Sequence, residues 1–132
     1  MITDILSFVV ALSILVFVHE LGHFLVAKRA GIRVECFSVG YPPKLISVQW
    51  GETEYCISAI PFGGYVKVAG MADVGNEETP GEEWEFTSKS IGIRMAVIAA
   101  GPFMNFLFAF AALIFLFNAY GVDTFDSTRI TP

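Results

Sequence analysis

Residues 5–27 read ILSFVVALSILVFVHELGHFLVA, and this stretch decides the fold. From Ile5 to Val18 only Ser7 and Ser13 interrupt an apolar run. That run alone is too short for a hydrocarbon core of ~30 Å, which takes ~20 helical residues. The pattern resumes through Leu21, Gly22, Phe24, Leu25, Val26 and Ala27, and Lys28-Arg29 then stop it. Taken together, residues 5–27 are long enough to span. Asp4, not Lys or Arg, precedes the run, and no small-x-small cleavage signal follows it directly. We therefore read a retained helix and not a cleaved signal peptide.

Three ionisable groups sit inside this apolar stretch, in His19-Glu20-Leu21-Gly22-His23. Each is expensive in lipid, so the group asks for a joint explanation. The pattern is H-E-x-x-H. Residues i and i+4 of a helix share a face, about 6 Å apart along the axis. Two imidazoles so placed can converge on one Zn²⁺. Glu20, next to the first of them, is placed to act as general base for water attack and then as acid toward the leaving amine. Zinc lowers the pKa of its water to roughly 7 and polarises the carbonyl under attack. Chance alone gives this pattern in about one chain in a few hundred of this length. Snorkelling toward an interface, or a proton path built on Glu20, also accounts for polar groups here. Neither predicts the histidine spacing. A catalytic zinc normally has three protein ligands, and the sequence offers two. Asp73 and the acids after it lie in a polar loop, Asp123 and Asp126 follow the second span, and Asn105 is an amide.

Composition agrees with a membrane protein. Of the 132 residues, 55% are hydrophobic and 16% charged, with thirteen Phe. Soluble domains carry about 25% charged residues. Disorder is excluded by the hydrophobicity, and a net charge of −5 argues against nucleic acid. A second span covers residues 95–120, with no charge and with Asn105 and Asn118 as its polar interruptions. Gly101-Pro102 should kink it or start its regular part. Seven of the eight Lys and Arg (Lys28, Arg29, Arg33, Lys44, Lys67, Lys89 and Arg94) lie between the spans. The positive-inside rule then places 28–94 in the cytoplasm and both termini outside. Cys36 and Cys56 should there be reduced thiols. Nothing gives them metal spacing, and we read both as structural.

Within 28–94, Leu45–Trp50 and Thr53–Ile60 flank Gly51-Glu52 and predict a hairpin. Pro61–Gly64 reads as a breaker, Tyr65–Val68 as a further strand, and Gly40–Pro43 as a turn. The acidic stretch 73–85 (Asp73, Glu77, Glu78, Glu82, Glu83, Glu85) reads as a solvated loop. The expected fold is thus an α-helical membrane protein: two transmembrane helices joined by a cytoplasmic loop with a β-hairpin or small sheet. Residues 121–132 would form an extracytoplasmic stub.

Four stretches now point to a family. They are Val18–Phe24, Phe37–Gly40, Glu54-Tyr55 through Ile60–Lys67, and Lys89–Ile91 leading to Ala99–Phe106. The chain resembles the amino-terminal part of the site-2-type intramembrane zinc metalloproteases, in their bacterial RseP-like group. The resemblance implies that His19 and His23 hold zinc and that Glu20 is catalytic. It implies a hairpin around Ile57–Val68 that dips back toward the membrane and pairs with an unwound substrate segment. Gly63, Gly64 and Tyr65 would contact substrate there. Asn105 would bind substrate near the zinc, or bond across the helix pair, or simply pack. Gly63 and Gly64 also read as plain turn glycines. The implied function is regulated intramembrane proteolysis of single-span proteins, such as anti-sigma factors or signal-peptide remnants, in the bacterial inner membrane. Family members continue with an extracytoplasmic PDZ region and a later helix whose Asp-Gly motif supplies the third zinc ligand. Without that ligand, a non-catalytic membrane module or an ion- or proton-handling protein are the other readings.

Overall fold

The computed structural model describes residues 1–71 and 81–121. Helix α1 spans Ile2–Arg29 and helix α2 spans Ile91–Tyr120. Between them lie two long antiparallel strands, β1 (Val34–Trp50) and β2 (Thr53–Val68). Both helices are long and apolar enough to cross a membrane. Their outer faces carry exposed Phe8, Phe106, Phe110 and Phe115. So much exposed apolar surface suits lipid and not water. Helix α2 begins at Ile91 and contains Pro102, so the proline does not start it.

The helices meet where side chains are smallest. A Cβ on Gly22 would collide with the Ala100 carbonyl, so the backbones are in contact there. Small residues at a crossing let two backbones approach closely.

The hairpin turns at Gly51-Glu52, as its sequence predicts. The glycines and prolines expected to break strands do not end them. Gly40–Pro43 lies within β1 and Pro61–Gly64 within β2. They bend the strands instead. Phe37 consequently has two partners, Val66 on one side and Tyr55 on the other, and Ser38 likewise pairs with Tyr65 and Cys56. The two strands make a sheet four segments wide, in the order 44–50, 53–58, 34–39, 64–68. Residues 57–68 are therefore the greater part of β2, paired with β1, and not a hairpin of their own. Gly40 makes the bend possible: its φ is +90°, and a Cβ there would press on the Ser58 carbonyl.

The apolar core gathers where helix ends meet the sheet, around Ala27, Ile32, Val34, Val68, Phe86 and Val97. Phe86, just past the acidic stretch, belongs to this core. Glu82 and Glu83 are exposed, but the Phe86 N–H donates to the Ala69 carbonyl and the Arg33 N–H to the Trp84 carbonyl. One apolar side chain thus anchors residues 81–90 beside the sheet. Asp73, Glu77, Glu78, Asp123, Asp126 and nearly all of 121–132 lie outside the described residues.

Candidate metal centre

His19 and His23 sit one turn apart on α1, with ring centroids 4.8 Å apart and planes at 77°. Helix α2 answers with Val97, Gly101 and Asn105, also at four-residue spacing. Nδ1 of His23 lies 2.7 Å from the Val97 carbonyl oxygen. A carbonyl only accepts, so Nδ1 carries the proton and Nε2 keeps its lone pair. Nδ1 of His19 lies 3.2 Å from the side-chain amide of Asn105. The amide oxygen, Oδ1, is buried and has no partner among the described residues. A half-turn of the amide brings Oδ1 to the His19 Nδ1–H. That turn satisfies the orphaned oxygen and frees Nε2 of His19 as well.

Both Nε2 atoms face the same place. A Cβ on Gly101 would lie 2.6 Å from Nε2 of His19 and closer still to Nε2 of His23. The missing side chain of Gly101 keeps that place open. Two neutral imidazoles with oriented Nδ1–H groups and convergent lone pairs fit a zinc ion. Among the described residues, no third His, Cys, Asp or Glu groups with this pair.

Glu20 lies between the histidines in sequence and is half-buried against the backbone of Val66 in β2. Further along β2, the Pro61 carbonyl accepts a hydrogen bond from the Ser13 hydroxyl. The segment 61–66 thus runs beside α1 from Ser13 to Glu20. Gly63 and Gly64 are buried for packing reasons: a Cβ would meet the Tyr41 ring at the first and the Ser38 carbonyl at the second. The Tyr65 ring stacks on Tyr41, with its hydroxyl 3.6 Å from the Cys36 sulfur. The site therefore joins His19, His23 and Asn105, with Glu20 beside β2. The side chain of Tyr65 turns elsewhere. Val97 and Gly101 escape a sequence reading, because a backbone carbonyl and an absent side chain carry no chemical signature. Their four-residue register with Asn105 is the signal that could have found them.

Comparison with known proteins bears on this arrangement. The model of peptidase family M50 matches residues 7–130. The regulator of sigma-E protease RseP of Escherichia coli is 47% identical over 90% of this chain and 27% of its own length. The protein of the same name in Salmonella typhimurium is 45% identical, again over 90% of this chain. A Vibrio cholerae protein, whose name proposes a zinc metalloprotease, is 46% identical over 91% of this chain and 28% of its own. The chain spans about a quarter of the length of the curated relatives it matches. A family match over residues 7–130 settles the affiliation: the chain belongs to peptidase family M50.

Proposed function

We propose that the chain forms the zinc-binding part of an intramembrane endopeptidase of the site-2 type, with His19 and His23 as ligands and Glu20 as general base. The observation that carries this reading is the convergence of both Nε2 atoms on the space above Gly101, each ring oriented from α2. A third ligand comes from outside the described residues, consistent with a chain that spans a quarter of its relatives. When bound, zinc supplies Lewis-acid polarisation of the scissile carbonyl and acidifies water. The Glu20 carboxylate takes the proton of the attacking water and returns it to the leaving amine nitrogen. The Val97 carbonyl and the Asn105 amide hold the imidazoles in the tautomer that leaves Nε2 free.

The substrate is an apolar membrane span. A helix keeps its scissile carbonyls in its own hydrogen bonds. The outer segment 64–68 of β2 pairs with β1 on one side. Its other side supports addition of an unwound substrate strand, past Gly63, Gly64 and Tyr65 toward Glu20. Each new main-chain bond contributes roughly 0.5–1.5 kcal/mol toward the cost of unwinding. Single-span proteins such as an anti-sigma factor are the substrates that similarity to a sigma-E regulator suggests. We place both helices in the bacterial inner membrane, with 28–94 cytoplasmic. Ser13 is about 22 Å along α1 from Lys28 at 1.5 Å per residue. The bond from Ser13 to Pro61 supports a sheet that reaches toward membrane depth.

The test is a pair of variants in the full-length protein, assayed for zinc and for cleavage of a single-span substrate. Glu20→Gln should keep its zinc and lose cleavage. His23→Ala should lose both. Cleavage that survives Glu20→Gln and chelation rejects the reading.

A further inference from the structure

Segments 34–39 and 53–58 lie side by side in the sheet. Along a strand, alternate residues share a face. One face of this pair carries Cys36, Ser38, Glu54, Cys56 and Ser58. The two serine hydroxyls are 2.9 Å apart, and beside them the sulfurs of Cys36 and Cys56 are 3.6 Å apart. Both cysteines are buried, at 5% and 4% exposure. A carboxylate oxygen of Glu54 and the two sulfurs all lie within 4.8 Å of one another. The Lys44 ammonium is 2.6 Å from that carboxylate. The histidine centre uses none of these side chains.

A separation of 3.6 Å is far from the ~2.05 Å of a disulfide. It is close to what two thiolates on one tetrahedral ion require. With Zn–S bonds of about 2.3 Å, the sulfurs on such an ion stand ~3.8 Å apart. A carboxylate oxygen on the same ion would stand ~3.5 Å from each sulfur, which a side-chain rotation of Glu54 can reach. The charges also close. Two thiolates and a carboxylate carry three negative charges, a divalent ion two positive, and Lys44 the last. The two thiolates are the buried charges, tolerated only when compensated in this way, and the Glu54–Lys44 pair reaches the surface. Thiolate ligands select zinc and other soft ions over magnesium or calcium.

We propose that Cys36, Cys56 and Glu54 form a second metal site, for zinc or a similarly thiophilic divalent ion, with Lys44 as countercharge and solvent in the fourth position. The ion would tie segment 34–39 to segment 53–58 at the centre of the sheet. Burial and the neighbouring Cys36 sulfur push the Cys56 thiol up to about 11, so the ion must displace its proton on binding.

Cobalt reports thiolate ligation through near-ultraviolet charge transfer, which imidazole and carboxylate ligands do not give. The full chain, in detergent and reduced with a phosphine, is titrated with Co²⁺ alone. We expect one equivalent to produce the charge-transfer band. The band should persist in His19→Ala/His23→Ala, disappear in Cys36→Ser and in Cys56→Ser, and shift to higher cobalt in Glu54→Gln. The absence of the band in folded parent chain overturns the proposal, as does a band that survives Cys36→Ser. So does an intact mass short of two hydrogens with no metal taken up, which would make the pair a disulfide. Loss of the band in His19→Ala/His23→Ala would show that the thiolates do not bind the ion independently of the histidines, and overturns it equally.

Discussion

Gly101 has no side chain, and its bare Cα leaves open the place on which both Nε2 atoms converge. Alanine is the better helix former by about 1 kcal/mol, so Gly101→Ala should keep α2 helical. Its Cβ would occupy the place on which both Nε2 atoms converge. We expect Gly101→Ala to retain its helical circular dichroism and lose most of its zinc and cleavage; metal analysis beside the dichroism checks this. In the proposed site Asn105 acts through His19, which its side chain contacts. Partners of this kind typically contribute 10–100-fold to metal affinity. Asn105→Leu should weaken zinc binding by about that factor, read from a competition titration with a chelator. If Asn105 contacts substrate alone, zinc affinity will stand unchanged and only KM will rise. That outcome would restore the other role open to this residue.

At the scale of elements, the crossing of α1 and α2 and the bends of the sheet matter most. Gly22 lets α1 meet the Ala100 carbonyl, and Met104 lies over the same point. Forcing a larger residue into such a contact typically costs 1–3 kcal/mol. Gly22→Leu should lower the unfolding midpoint in detergent, and it should reduce zinc affinity too, because the crossing sets the register of Val97 and Asn105 against the histidines. An unchanged midpoint with unchanged zinc would show that the helices do not pack there. In the sheet, turn residues act inside strands. Gly40 and Gly63–Gly64 bend β1 and β2 so that one strand pair forms four segments. A local reading finds breakers at these positions because it sees backbone freedom and not the pairing that uses it.

At the scale of the whole molecule, two apolar helices carry a polar, folded loop between them. Excess Lys and Arg in that loop predicts a cytoplasmic placement. Ser88, exposed beyond the sheet, is the place to test it. Ser88→Cys should react with a membrane-impermeant maleimide in inverted vesicles and resist it in spheroplasts; the buried Cys36 and Cys56 leave a low background. The reverse pattern would invert the topology. Much of this molecule is legible along the chain. The HELGH pattern lies within one helix, where fixed four-residue geometry makes spacing equivalent to position. The two apolar runs declare their helices by length, and Gly51-Glu52 declares the hairpin turn. Tertiary structure decided what depends on two segments at once. It brought Val97, Gly101 and Asn105 to the histidines, set Phe86 in the core, and laid Cys36 beside Cys56. Spacing along a sequence fixes distance only within one regular element. Between elements, the distance is set by packing, which no local pattern encodes.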